Sequence, residues 1–143
     1  MKYKLFVAAG LLSLFIYACG IMPSDQQKAN AQQFVNAVNN DDMRTVQQLM
    51  VKNSPEDTAL LRKGLDSISH FLRGHFTQPL KVTTVAFSKK TMTSIGAGES
   101  GTFTILQLKV SDGKQFVPAT LVFKDDLVRS CQFQLDGLQP EKK

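Results

Sequence analysis

Residues 102–123 read TFTILQLKVSDGKQFVPATLVF, two apolar-rich runs joined by a short polar turn. In the second run Val117, Ala119, Leu121 and Phe123 alternate with their neighbours. That period of two is typical of a strand with one buried face. The Asp112-Gly113 pair between the runs is a strong signal for a hairpin. The stretch therefore predicts two antiparallel strands.

The first run of this stretch has apolar residues at both odd-numbered and even-numbered positions, that is, on both parities. Phe103 and Ile105 share one parity, whereas Leu106, Leu108 and Val110 share the other. A β-bulge would shift the alternation, and burial of both strand faces would remove it. The sequence leaves these two explanations open.

Strand patterns also lie on either side of this hairpin. Upstream we expect a strand at about residues 81–88, which includes Val85 and Phe87, and then a loop that ends in the glycine-rich residues 96–101. Downstream, Asp125 and Asp126 turn the chain into a last strand. Four residues of that strand are expected to share one face: Leu127, Cys131, Phe133 and Leu135. Together these signals predict a meander of about four strands.

Two helix signals open the globular part of the chain. The first is a capping box at residues 24–27, SDQQ, and apolar residues then follow at helical spacing up to Asn39 and Asn40. Its apolar face holds Ala31, Phe34, Val35 and Val38. Asp41 or Asp42 can cap a short second helix. The apolar face of that helix holds Met43, Val46, Leu49 and Met50, and its end is expected near Lys52 and Asn53.

The third helix signal is the strongest. Ser54 suits the N-cap and Pro55 the first helical position, while Glu56 and Asp57 complement the helix dipole. A stripe at helical spacing follows, made of Leu61, Leu65, Ile68 and Leu72, and Gly74 offers a C-terminal stop. Helices followed by antiparallel strands predict an α+β domain, with N-terminal helices packed on one face of a curved antiparallel sheet of about four strands.

The N-terminus has the pattern of a targeting segment. Lys2 and Lys4 precede an uncharged run at residues 5–18. This run is shorter than the roughly 20 residues that a membrane-spanning helix needs, and no stop-transfer charges follow it. We therefore expect residues 1–18 to be a signal peptide that is removed.

The end of this run, IYAC at residues 16–19, resembles the lipobox of bacterial lipoproteins. The resemblance implies cleavage before Cys19, a diacylglycerol on its thiol and an acyl chain such as palmitate on its amine. Gly20 after the cysteine then implies sorting to the outer membrane of a Gram-negative host, facing the periplasm. Residues 19–23 would be a lipidated N-terminus and short tether, residues 24–138 one α+β domain, and residues 139–143 a frayed polar tail.

Length and charge limit the partners that this chain can bind. Its 143 residues suit one domain, and loss of Lys2 and Lys4 with the signal lowers the net charge from +5 to +3. Lys and Arg are interleaved with acids, and both tyrosines, Tyr3 and Tyr17, leave with the signal from a chain that has no Trp. A nucleic-acid partner is therefore not expected, because neither a basic patch nor Tyr and Trp for base stacking is present.

The order of elements resembles the small nuclear-transport-factor-two-like or cystatin-like lipoproteins. The resemblance depends on the first helix with Ala31, Phe34 and Ala37, on the Asp41-Asp42 entry to the second helix, and on the C-terminal hairpins. This family often has a strand between its helices, and no strand pattern precedes residue 80 here. Enzymes of the family often use a carboxylate base with a Tyr or Asp acid.

Two patterns of this chain resemble cofactor and metal sites. Residues 96–101, GAGESG, match the spacing of a dinucleotide-binding loop, but a strand pattern follows where that mechanism needs a helix N-terminus. His70 is expected on the solvent face of the third helix, where it pairs with Asp66, and His75 lies beyond the Gly74 stop. We therefore predict no cofactor and no metal site.

Other side chains have a structural explanation. Cys131 is expected to be a buried core thiol, although a disulfide with Cys19 becomes available if Cys19 is not lipidated. Seven acids are assigned to caps and turns: Asp41, Asp42, Glu56, Asp57, Asp112, Asp125 and Asp126. Residues 26–40 hold four Gln and four Asn, and this amide face is either solvated or a partner surface.

These observations predict a membrane-anchored envelope lipoprotein that is not an enzyme and has no catalytic residues. Its domain would bind an envelope protein or an apolar ligand, and Cys19 would carry the lipid. Two alternatives stay open. One is an exported enzyme of the same fold that acts on a small molecule held between helices and sheet. The other is an accessory subunit of a secretion, conjugation or surface-assembly apparatus.

Overall fold

The computed structural model describes residues 22–52, 55–77, 79–92 and 101–142. Three helices come first: α1 (Asp25–Asn39), α2 (Met43–Leu49) and α3 (Pro55–His75). An antiparallel sheet follows: β1 (Lys81–Met92), β2 (Gly101–Ser111), β3 (Gln115–Lys124), β4 (Leu127–Phe133) and β5 (Gln139–Pro140). The α+β prediction is confirmed, and the short β5 adds a fifth strand to the expected four.

Helix α1 begins and packs as its sequence predicts. The Ser24 side chain accepts a hydrogen bond from the Gln27 backbone N–H, and the Gln27 side chain accepts one from the Ser24 N–H. This completes the capping box. All four predicted apolar residues, Ala31, Phe34, Val35 and Val38, are buried in the core.

Helix α2 is shorter than expected. Asp42 is its N-cap and accepts from the Thr45 backbone N–H at 3.2 Å, which decides between the two aspartates. The helix ends at Leu49 instead of near Lys52, because Met50 turns extended and forms a parallel bridge with Val128 of β4. Asn53, the other expected end residue, lies outside the described residues.

Helix α3 begins at Pro55 and continues through Gly74 to His75. The expected Ser54 cap lies outside the described residues. Leu65 and Leu72 are buried, while Leu61 and Ile68 are half-buried against the same core. Gly74 is not the stop, because the Phe76 N–H still donates to the Leu72 carbonyl at 3.0 Å. Phe76 itself is buried, so its packing carries the chain past the glycine.

The sheet has the strand order β1-β2-β3-β4, and β5 pairs with β3. The first strand continues to Met92, beyond the expected end near residue 88. Its register with β2 shifts between Thr84 and Ala86. The bulge leaves Val85 61% exposed, whereas Phe87 is half-buried against the core, so the two do not share a face.

Strand β2 keeps an unbroken register with β3, so it has no bulge on that side. Its core face holds the apolar residues Leu106, Leu108 and Val110, and Phe103 on the opposite face is also buried. Burial on both faces at the beginning of the strand therefore explains the mixed parity. The only residues of β2 that are both buried and polar are Thr104 and Ser111.

The hairpin turn between β2 and β3 forms at the predicted place. Gly113 has φ +88°, a left-handed conformation that favours glycine. The Asp112 carboxylate accepts hydrogen bonds from the backbone N–H groups of Thr77, Lys114 and Gln115 at 2.8–3.0 Å. The same carboxylate therefore holds the turn and the segment that follows α3.

Two predictions for β4 are wrong. Leu135 lies beyond the strand, in a short 3-10 helix at Leu135–Gly137. Leu127 is 40% exposed, and its neighbour Val128 is fully buried instead. The register between β3 and β4 shifts where Val122 pairs with Ser130 and Phe123 pairs with Val128. This bulge changes the parity of the strand, so Val128 joins Phe133 on the core face.

The C-terminal segment is docked, contrary to the expected frayed tail. Gln139 and Pro140 pair with the start of β3, and the Glu141 side chain forms an ion pair with Lys109 and accepts a hydrogen bond from Ser111. These two contacts hold the pKa of Glu141 below its usual value, the lysine contact first. Lys143 lies outside the described residues.

Candidate functional site

The amide side chains at the start of α1 bind the turn between β3 and β4. Gln27 Nε2 donates to the Asp125 carbonyl at 2.7 Å and to Thr104 Oγ1 at 3.3 Å. Asn30 Nδ2 donates to the Asp126 carbonyl at 2.8 Å. Gln27 and Asn30 are both buried. These contacts are internal, so this part of the amide face is neither solvated nor a partner surface.

A third amide binds the opposite edge of the sheet. Gln32 Nε2 donates to the Leu80 carbonyl at 3.1 Å, and Gln32 Oε1 accepts from the Val82 backbone N–H at 2.9 Å. The side chain thus pairs with the first residues of β1 as a strand backbone would. Because β1 is an edge strand, this contact covers part of an otherwise open edge. In the sequence, this network is indicated by the high content of Gln and Asn in residues 26–40.

Grooves lie beside the N-terminus of α1. One has a volume of about 430 Å³ and is lined by Met22, Pro23, Lys28 and the bulged part of β1 from Thr84 to Phe87. Another, of about 570 Å³, shares Met22, Pro23 and Lys28 with it. The remaining lining of the second groove is polar: Ser24, Asp25, Gln27, Lys89, Asp125 and Asp126. Both are open to solvent.

A separate groove lies between α3 and β4. Its volume is about 390 Å³, and Leu60, Leu61 and Cys131 form its apolar wall. Leu60 is 74% exposed, whereas Leu61 is half-buried. Asp57, Arg129 and Ser130 complete the lining. This groove therefore places the exposed side chain of Leu60 beside the edge strand β4.

Cys131 lies on the core side of β4, as its parity predicts, but it is only partly buried. Its side chain packs against the hydrophobic core, and it is a free cysteine. Burial raises the pKa of the thiol to about 11. A nucleophilic cysteine needs a lowered pKa, so this environment suits a packing role. Cys19, its alternative disulfide partner, lies outside the described residues.

We expect Cys131 to react slowly with thiol reagents in the folded protein. At pH 8, a pKa of about 11 leaves about 100-fold less thiolate than the ordinary value of 9.0. The measurement is the rate of reaction with a disulfide dye in a Cys19→Ser variant, where Cys131 is the single thiol. Urea-unfolded protein is the control. Equal rates for folded and unfolded chains would contradict the buried environment.

The two histidines lie on α3 but are not brought together with other ligands. His70 and Asp66 are exposed, as expected, and no ion pair between them is present. His75 is the last residue of the helix instead of lying beyond its end, and its ring stacks on Phe71 with centroids 4.2 Å apart. Among residues 22–52, 55–77, 79–92 and 101–142, no three His, Cys, Asp or Glu side chains form a metal-binding group.

Several acids perform the structural roles that the sequence predicts. Hydrogen bonds from Thr45, through its side chain and then its backbone, hold the pKa of Asp42 below its usual value. Burial acts to raise the pKa of Asp112, but the backbone N–H donors around it outweigh this and keep it low. Asp41 and Asp125 occupy turns with φ values of 58° and 54°. Asp42 and Asp112 therefore act through their carboxylates, whereas Asp41 and Asp125 occupy their turns through their backbone conformation.

The space between helices and sheet is filled by side chains. Phe34 from α1 and Phe123 from β3 are both fully buried, and Leu106 and Leu121 of the sheet join them in one core. Residues 96–100 of the glycine-rich motif lie outside the described residues, and Gly101 begins β2. The motif therefore leads into a strand, as expected, and not into the helix that pyrophosphate binding needs.

None of the described helices is both long and apolar enough to cross a membrane. Residues 1–18, the predicted signal peptide, and Cys19 lie outside the described residues, so the prediction of lipidation remains a prediction. Comparisons with protein-family models, with curated proteins and with solved structures found no match to this chain.

Proposed function

We propose that this protein is a lipid-anchored lipoprotein of the bacterial envelope. Residues 1–18 would be removed as a signal peptide and Cys19 would carry the lipid. The observation that carries this proposal is the uncharged run that ends in IYAC at residues 16–19, six residues before α1 begins at Asp25. A lipid at Cys19 would therefore hold a folded domain close to the membrane surface, with almost no linker between them.

The domain would act by binding rather than by catalysis. Phe34 and Phe123 fill the region where an enzyme of the resembled fold would hold its substrate. The surface grooves leave room for a protein partner or an apolar ligand instead. With Gly20 after the cysteine, we place the anchored protein on the periplasmic side of the outer membrane of a Gram-negative host.

Lipidation is tested by metabolic labelling with palmitate. The wild-type chain should incorporate the label and partition with membranes, whereas Cys19→Ser should do neither, because the thiol that accepts the diacylglycerol is lost. Cys131→Ser is the matched control and should be labelled like the wild type. Equal labelling of the wild type and Cys19→Ser would contradict the proposal.

Signal removal has an independent optical test. Tyr3 and Tyr17 are the two tyrosines of the chain, and it has no Trp. The processed protein should therefore show almost no absorbance at 280 nm at a concentration fixed by amino-acid analysis. Tyrosine absorbance in the membrane-bound protein would mean that the segment before Cys19 is retained.

A further inference from the structure

The edge of β3 beside the hairpin is covered by the C-terminal segment of the chain. Strand β3 begins at Gln115, whereas its register with β4 covers only residues 119–124. Gln115 and Phe116 pair instead with β5, which the short 3-10 helix at Leu135–Gly137 separates from β4. A strand edge left open at this place would be a template for an added strand. The C-terminal segment therefore occupies a position that suits an extended segment of another protein.

Two side chains of β2 bind a carboxylate beside this edge, and we call Lys109 and Ser111 the carboxylate clamp. Ser111 is buried, and its Oγ accepts a hydrogen bond from the Gly113 N–H at 2.9 Å. The hydroxyl can still donate, and the Glu141 carboxylate accepts from it. The Lys109 ammonium lies 4.7 Å from the centroid of the Phe116 ring and forms an ion pair with the same carboxylate. The hairpin and β3 therefore help to hold both groups in place.

The surroundings of the clamp favour a charged carboxylate. Hydrogen bonds from Lys109 and then from Ser111 lower the pKa of Glu141 by more than burial and the nearby Asp112 raise it. A second lysine, Lys81, lies directly opposite Ser111 in the register of β1 with β2. Hydrogen bonds between a cation and a carboxylate are stronger than those between neutral groups. The clamp therefore selects an acidic side chain in whatever segment pairs with this edge.

Few contacts hold the C-terminal segment in this position. Strand β5 has two residues, Gln139 and Pro140, and both are exposed. Pro140 has no backbone N–H to donate to β3. Glu141 adds one backbone hydrogen bond, from its N–H to the Lys114 carbonyl at 2.8 Å. Leu138 packs against the core, so only the residues after it need to move. A longer strand that brings its own carboxylate could therefore displace this segment.

We propose that the start of β3 and the carboxylate clamp form a binding site for an extended, carboxylate-bearing segment of an envelope protein, and that residues 139–141 occupy it in cis as an autoinhibitory strand. This inference rests on the proposed binding role of the domain, and it specifies the site and the kind of partner. Backbone pairing along β3 would supply affinity, and the clamp would supply specificity for a glutamate or an aspartate.

The test uses the full processed protein in detergent and a fluorescent peptide of sequence GLQPEK, which repeats residues 137–142. Fluorescence anisotropy measures the binding of this peptide. Glu141→Gln should open the site in cis, because the amide cannot form the ion pair with Lys109, and it leaves the clamp itself unchanged. Asp136→Asn is the matched control, since Asp136 is an exposed acid of the same segment. Far-UV circular dichroism confirms that each variant is folded.

We expect Glu141→Gln to bind the peptide about 10-fold more tightly than either the wild type or Asp136→Asn. A peptide with Gln in place of its glutamate should lose this affinity, and Lys109→Gln added to Glu141→Gln should abolish it.

Equal affinity of the wild type and Glu141→Gln would overturn the proposal, and so would a folded Glu141→Gln that does not bind the peptide. Binding that does not depend on the glutamate of the peptide would also overturn it. Self-association of Glu141→Gln without peptide binding would assign the opened edge to a second copy of the chain and refute the separate partner. None of these outcomes bears on the lipid anchor, because palmitate labelling of Cys19 tests it separately.

Discussion

Replacement of Phe34 by alanine should lower the free energy of unfolding by about 3–5 kcal/mol. Phe34 has no exposed surface and belongs to the core that joins α1 to the sheet. Its removal deletes the transfer energy of the ring and leaves a cavity that the surrounding helices and strands can fill only in part. Domains of this size have about 5–15 kcal/mol of stability, so the loss is a large fraction of the total.

The measurement is urea unfolding followed by far-UV circular dichroism. Leu60→Ala is the control, because Leu60 is a large apolar residue that is 74% exposed, and we expect its change to stay within about 0.5 kcal/mol. A similar loss for both variants would mean that α1 is not packed on the sheet through Phe34. A loss below about 1 kcal/mol for Phe34→Ala would have the same meaning.

Gln27→Ala should lower the free energy of unfolding by about 2–3 kcal/mol. This loss is large for the replacement of a polar helix residue by alanine, which is itself a good helix former. The buried amide binds the Asp125 carbonyl, the Thr104 hydroxyl and the Ser24 N–H. Without it, these groups lose their partner in a region with little access to water. The cost of burying unsatisfied polar groups exceeds the small gain in helix propensity that alanine brings.

Gln33→Ala is the matched control, because Gln33 lies on the same helix and is exposed. We expect its stability to equal that of the wild type or to exceed it slightly. Hydrogen exchange provides a second readout, since amides around Asp125 and Asp126 should exchange faster in Gln27→Ala alone. Equal stability of the two variants would show that the Gln27 contacts carry no net energy.

Features that depend on neighbouring residues were predictable from the sequence. The capping box of α1 and the Asp112-Gly113 turn each use residues within four positions of one another, and both formed as expected. The apolar stripe of α3 was also correct, because helical periodicity is a local pattern. The order of these elements was enough to predict the α+β class.

Features that depend on distant partners were not predictable in the same way. The bulge in β4 buries Val128 in the core in place of Leu127. Both side chains are aliphatic, so the sequence does not indicate which of them is buried. Gly74 fails as a stop because Phe76 has a place in the core, which the local pattern does not indicate. The segment around Glu141 has no local signal for structure, because the partners of Glu141, Lys109 and Ser111, lie about 30 positions earlier.

The candidate site shows the same division. The signal pattern is local and stays a prediction, whereas the groove beside the N-terminus of α1 is assembled from residues around positions 22, 28 and 85. The amide-rich composition of residues 26–40 is a local pattern that includes Gln27 and Asn30. Their partners could not be named, because backbone carbonyls nearly 100 positions away carry no sequence signal.

The amide contacts of α1 also determine when the domain can finish folding. Gln27 and Asn30 bind carbonyls 98 and 96 positions later in the chain. Contacts between such distant positions close large loops and slow the folding reaction. A chain that emerges N-terminus first would display α1 long before its partners are available. Helices α2 and α3 can pack on α1 early, but the amides of Gln27 and Asn30 stay without their partners until the turn after β3 has emerged, so the domain completes its fold only when nearly the whole chain is available.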